Sequence, residues 1–274
     1  LNLSSAYSSY EKDTQPYPLY IKADRKLDVQ DVIALHRDHY EGTEFDMTQD
    51  LAAGPFNAPD KWRPMKWEVD GNKYAWERPI ATQQAAFVFA AEPRADLPDE
   101  IGGIYWYGLD NPYTNFFAPF YTSITSLPKS YTVGKLSKFT RESAWWAFNF
   151  VANYANLRWS YMIQDIQKVQ KEIEDDFFGR QSVIEAEAKR LLEENPAEVE
   201  KYLTEYCVES AETGIQKWWE LGDFLITKYN DGYIKNEKGR PQEIGYPESW
   251  LQTIPKEKLE KYRLKQERDG EGEL

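Results

Sequence analysis

The sequence has a single cysteine, Cys207, and only two histidines, His36 and His39, in 274 residues. One cysteine excludes an intrachain disulfide and any cysteine-based zinc site. No stretch approaches the ~20 consecutive apolar residues of a membrane span. Basic residues are in deficit, 33 against 46 acidic, and the formal net charge is −13. That field repels a phosphate backbone or an anionic lipid surface, so no nucleic-acid partner is expected. No Gly-rich phosphate loop and no Gly-x-Ser-x-Gly elbow is present, which leaves P-loop and α/β-hydrolase readings without support. An initiating methionine is also missing: residue 1 is Leu and no signal peptide precedes it, so the sequence reads as a processed product or a fragment.

What is abundant is aromatic: 10 Trp, 19 Tyr and 13 Phe, within 41% hydrophobic and 29% charged residues. This is the composition of a globular chain with a real core. The surplus of rings serves core packing first and also suits a groove that receives a ligand or partner.

Hydrophobic spacing divides the chain. Residues 1–27 read as an extended approach segment. A helix is expected from Asp28, as its cap, to Glu41, with Val29, Val32, Ile33 and His36 on one face and Gly42 as its stop. Asp70-Gly71 predicts a hairpin turn between Met65–Val69 and Lys73–Glu77. Strands are expected over Ala85–Ala91, Gly103–Gly108 and Tyr121–Ser126. Trp145, Phe148, Ala152, Ala155, Trp159, Met162, Ile166, Val169 and Ile173 then recur in steps of three and four, predicting one helix of about eight turns that Phe178-Gly179 ends. Ser182 with Glu185 reads as the capping box of a short helix, and Asn195-Pro196 with Glu198 as the start of another reaching about Tyr229. The chain thus divides into 1–27, an α+β part at 28–139, a helical region at 140–230 and an irregular tail at 231–274.

The densest polar cluster is His36-Arg37-Asp38-His39-Tyr40-Glu41-Gly42-Thr43. Two histidines at i and i+3 share a helix face and could ligate a metal with Glu41, but no HEXXH pattern and no distant third histidine accompanies them; the expectation is no metal and no cofactor. Asp38 and Glu41 better suit an ammonium group. Arg78, at a strand rim before Thr82-Gln83-Gln84, is a candidate for holding a carboxylate or orienting a nucleophile; an ordinary surface ion pair is the plainer reading. Asn115, in Asn111-Pro112-Tyr113-Thr114-Asn115, suits either an oxyanion hole or a turn. Cys207, mid-helix and far from both histidines, reads as a buried, inert thiol.

Taken together, DVIALHRDHYEGTEFDMT (Asp31–Thr48), the turn at Ala52-Ala53-Gly54-Pro55-Phe56, RPIATQQAAFVF (Arg78–Phe89), LPDEIGGIYWYG (Leu97–Gly108), PYTNFFAPFY (Pro112–Tyr121) and RESAWWAFNFVANYA (Arg141–Ala155) resemble, in order, the bacterial cysteine-type dipeptidases of the N-terminal-nucleophile hydrolases. The resemblance implies an αββα sandwich and hydrolysis of dipeptides by a cysteine at a mature N-terminus, whose α-amino group acts as base. It further implies Arg78 as the arginine lining the nucleophile's site, and Asp38, His39, Tyr40, Glu41, Thr43 and Asn115 as residues that shape the pocket and meet the substrate. The sequence carries no N-terminal cysteine and neither the polar motif nor the oxyanion asparagine of the family's first half. The expectation is therefore the C-terminal portion of such an enzyme, inactive alone and completed by an N-terminal half. Its partners are then a dipeptide and that half, with homo-oligomerisation open and the compartment either bacterial cytoplasm or periplasm and beyond. The alternative is a non-catalytic binding or scaffold domain.

Overall fold

Asp28 starts the first helix with a reciprocal cap. Its carboxylate accepts the Asp31 N–H while the Asp31 carboxylate accepts the Asp28 N–H, and α1 runs Val29–His36 in the computed structural model, which describes residues 18–264. The helix stops five residues short of the expected Glu41. The carboxylates of Glu41 and Asp38 take the N–H groups of His39 and Tyr40, so local side chains replace the helical ladder there.

The hairpin forms as β1 (Lys66–Val69) and β2 (Asn72–Ala75), with Trp67 opposite Tyr74. Asp70 and Gly71 have φ of 52° and 77°, the paired left-handed conformation of a tight hairpin turn. Trp67 lies between Tyr74 and Trp76, with ring centroids 5.8 and 4.4 Å away.

A three-stranded antiparallel sheet follows: β3 (Phe87–Pro93), β4 (Gly103–Leu109) and β5 (Ala118–Tyr121), with β4 in the centre. The third strand ends where the sequence predicted it to begin. The strand accommodates Pro119 because β5 pairs on one side only, where a missing N–H is tolerated. Alternation gives the sheet two unlike faces. Val88, Ala90, Ile104 and Trp106 point into the core. Phe87, Phe89 and Tyr105 stay 53%, 41% and 44% exposed while stacking on one another and on Tyr107.

Three helices cover the inner face: α2 (Ala144–Ala155), α3 (Trp159–Glu194) and α4 (Val199–Tyr229). The expected single helix is broken between α2 and α3. Arg158 leaves helical geometry there and donates to the carbonyls of Gly232 and Gly245 at 2.5 and 2.7 Å, anchoring the segment after α4. The expected end at Phe178-Gly179 is absent, and Ser182 and Glu185 lie inside α3 instead of capping a new helix. Packing overrides the glycine: Phe178 stacks on Trp106 at 4.1 Å, and Glu185 pairs with Arg94 and accepts the Tyr121 hydroxyl at 3.1 Å. A 3₁₀ turn at Pro196–Glu198 leads into α4, and the Asn195 side chain makes no capping bond.

Phe116 sits at the centre of the core, with Phe148, Trp218 and Phe177 at 5.0, 5.4 and 6.1 Å between centroids. The ring fits because residue 214 is glycine: a Cβ there would lie 2.5 Å from Phe116 Cζ. The observed class is mixed α and β with small sheets and long helices. Among the described residues no helix is long and apolar enough to cross a membrane.

Candidate functional site

The turn after α1 is built by its own acidic side chains. Asp38 Oδ1 accepts the Tyr40 N–H at 2.6 Å, which holds Tyr40 at a φ of 64°. The Tyr40 carbonyl in turn accepts the Thr43 N–H at 3.1 Å and the Thr43 hydroxyl at 2.7 Å. Glu41 Oε2 accepts the His39 N–H at 2.8 Å, and Glu41 Oε1 lies 3.3 Å from His39 Nδ1. Partial burial pushes the Glu41 carboxyl up, but its hydrogen bonds with His39 outweigh this and hold it below the usual value. It is a committed anion on an exposed residue.

Thirty-eight residues later the chain returns to this turn. The Tyr40 hydroxyl donates to the Arg78 carbonyl at 2.8 Å, and the Ala81 N–H donates to the Asp38 carbonyl at 3.0 Å. Asp38, Tyr40, Thr43 and Arg78 thus belong to one rim. Among the described residues the Arg78 guanidinium, on an exposed residue, has no hydrogen-bond or ion-pair partner. Arg78 shares a narrow cleft with Met47, Asp60, Lys61, Arg63 and Thr82.

The two histidines do not converge. His36 ends α1 against Phe117, at 6.5 Å between centroids. His39, off the helix and fully buried, packs on Tyr113 at 4.5 Å. Among the described residues no group of three or more His, Cys, Asp or Glu side chains could hold a metal ion. Asn115 is also fully buried: its side-chain amide donates to the Leu109 carbonyl at 3.0 Å, and its main-chain carbonyl accepts from Arg37 and Gln170. Cys207 is buried in α4, where burial pushes its thiol up to about 12.

Beneath the rim lies a polar layer that the sequence did not reveal. Lys61 Nζ is buried and donates to the Met47 carbonyl at 2.8 Å and to Asp50 at 2.9 Å. Asp60 Oδ2 accepts from the Asn156 amide at 2.9 Å, and among the described residues its other oxygen is buried without a partner, as is His39 Nε2. Burial raises the Asp60 carboxyl above its usual value and pushes Asp110 up to about 7, with the neighbouring Asp60 charge adding to the latter. The available signals were faint: an Asp-Lys pair in a proline-punctuated loop and an Asp-Asn at a strand end.

The exposed Glu41 and Arg78 line different clefts, Glu41 with Arg25, Asp31, Arg37 and Tyr113, and Arg78 with Met47, Asp60 and Lys61. Comparison with known proteins places the chain more firmly. The model of Peptidase family C69 matches residues 2–172, and the chain belongs to that family. "Probable dipeptidase B" of Lactococcus lactis subsp. lactis (strain IL1403) is 28% identical over 127 residues, covering 46% of this chain and 23% of that protein. "Dipeptidase A" of Lactobacillus helveticus is 23% identical over 163 residues, covering 60% and 29% respectively. "Probable dipeptidase" of Latilactobacillus sakei is 25% identical over 142 residues, covering 52% and 26%. The matched stretch therefore spans only about a quarter of each relative's length.

Proposed function

We propose that the chain is the C-terminal portion of a cysteine dipeptidase, furnishing the charged rim of the site while the attacking cysteine lies elsewhere in the same enzyme. The observation that supports this reading is the joining of Asp38–Thr43 to Arg78–Ala81, which ties the charged turn to the Arg78 backbone. The names of the relatives supply the substrate class. Cys207 does not suit the role of nucleophile, because its thiol is buried and its pKa is far above neutrality.

On this reading a cysteine thiol at a mature N-terminus gives its proton to the free α-amino group. The sulfur adds to the carbonyl carbon of the dipeptide, the leaving amine departs with the proton, and water then hydrolyses the thioester. Arg78 lines the nucleophile's site. Glu41 receives the substrate ammonium, with His39 fixing its carboxylate, and Asp38, Tyr40 and Thr43 shape the pocket. Asn115, spent on Leu109, braces the site from inside. Residues 28–139 supply part of the hydrolase core and 140–230 its helical layer, flanked by 1–27 and 231–274. The exposed rings of β3 and β4 support a second sheet stacked about 10 Å above them in an αββα sandwich.

The test is reconstitution. Mixing the chain with the remainder of the full-length peptidase restores hydrolysis of Ala-Ala, and prior alkylation of that remainder abolishes it. Hydrolysis by this chain alone, or activity indifferent to alkylation, overturns the proposal. A stable complex without hydrolysis supports a non-catalytic scaffold instead.

A further inference from the structure

We infer that Tyr40 is a positioning residue that sets the direction of Arg78 through its main chain; the inference rests on the proposed role of Arg78. Three observations combine. First, Tyr40 is fixed at both ends of its own backbone. Asp38 takes its N–H at 2.6 Å, and Thr43 supplies two donors to its carbonyl. Second, this grip holds a bulky non-glycine residue at a φ of 64°, a conformation that L side chains rarely adopt and that surrounding contacts must maintain. Third, the side chain so aimed ends on the Arg78 carbonyl at 2.8 Å.

The target is well chosen for control. Arg78 precedes Pro79, which has no N–H to bond and confines the Arg78 backbone to extended conformations. What remains free is the rotation of the Arg78–Pro79 unit as a whole. Two bonds stop it: the Tyr40 hydroxyl on the Arg78 carbonyl, and the Asp38 carbonyl on the N–H of the fully buried Ala81. The guanidinium itself has no partner among the described residues, so its direction is set from the backbone and not from its tip. Asp38 and Thr43 act one step further back, through Tyr40.

The experiment is a double-mutant cycle in the full-length peptidase that contains this segment, read as kcat and KM for Ala-Ala, with thermal unfolding of each variant alongside. Tyr40→Phe keeps the ring and removes only the hydroxyl. It lowers kcat/KM about tenfold, the scale of one positioned hydrogen bond, without shifting the unfolding temperature. In an Arg78→Ala background the same change costs less than about twofold, because nothing is left to aim. Equal losses in both backgrounds, or no loss from Tyr40→Phe beside a large loss from Arg78→Ala, overturn the role of Tyr40 alone. A fall in kcat/KM that merely tracks a lowered unfolding temperature in both backgrounds does the same. If Arg78→Ala leaves kcat/KM unchanged, the proposed role of Arg78 fails, and this inference with it.

Discussion

Arg37 grips both carboxylate oxygens of Glu174, at 2.6 and 3.0 Å, and with that one contact ties the end of α1 to the middle of α3. The pair has further duties. Arg37 also donates to the Pro112 and Asn115 carbonyls, and Glu174 accepts the buried Phe117 N–H at 3.0 Å. Glu174→Ala leaves the Arg37 charge without its carboxylate and strands that N–H. Urea unfolding should show a loss of about 3–5 kcal/mol, well above that of an exposed ion pair. Lys171→Ala, which breaks an exposed pair with Asp175 one turn earlier, should cost under about 1 kcal/mol.

The buried Asp110 makes stability depend on pH in a definite direction. Its carboxyl is pushed up to about 7 from a reference of 3.8, so between these values the folded chain holds a proton that the unfolded chain has released. Stability therefore falls as pH rises through this window and levels off above it. Asp110→Asn keeps the shape, an acceptor for Asn149 and a residue type that tolerates the φ of 61°. Relative to the parent, the variant should gain stability on going from pH 5 to pH 8, measured by urea unfolding at each. A constant offset at both values would show that Asp110 does not titrate in this range.

The Glu41 carboxyl shifts in the opposite direction, its hydrogen bonds with His39 outweighing partial burial and holding it below its usual value. In the full-length enzyme Glu41→Gln should raise KM for free dipeptides by about tenfold and leave kcat nearly unchanged, the pattern of a lost ground-state contact. N-acylated dipeptides, which lack the ammonium, should not distinguish the two proteins.

Two glycines in long helices should respond oppositely to alanine. At Gly214 the new Cβ meets Phe116 at 2.5 Å, and overpacking there should cost about 1–3 kcal/mol. At the exposed Gly179 nothing lies within 4 Å, and alanine should stabilise α3 by roughly 0.5–1 kcal/mol. Differential scanning calorimetry of the two variants checks both signs.

The same Gly179 shows where the sequence ceased to be legible. Period-three-and-four spacing located the helical region, because burial on one face repeats locally, and bounding Gly and Pro residues located β3 and β4. Gly179 and the Ser182–Glu185 pair were misleading, since each carries a local preference that a distant partner cancels: Trp106 on Phe178, and Arg94 with Tyr121 on Glu185. The break at Arg158 was hidden for the same reason, its partners lying more than seventy residues away. At the site, the charged turn and Arg78 were visible as dense polar motifs. Their junction through Tyr40, and the Asp60–Asp110 layer below, rest on contacts between remote segments that no local pattern encodes.

The indole stack on the β1–β2 ribbon gives this protein a built-in spectroscopic reporter. Trp67 and Trp76, 4.4 Å apart between centroids, are close enough for their electronic transitions to couple, while the helical signal arises from α2, α3 and α4 far along the chain. A second close pair, Trp145 and Trp146 at 4.8 Å in α2, contributes as well, so the difference spectrum of a Trp76→Phe variant isolates the ribbon's share. Docking of a ligand or companion segment against the ribbon becomes visible without any attached dye.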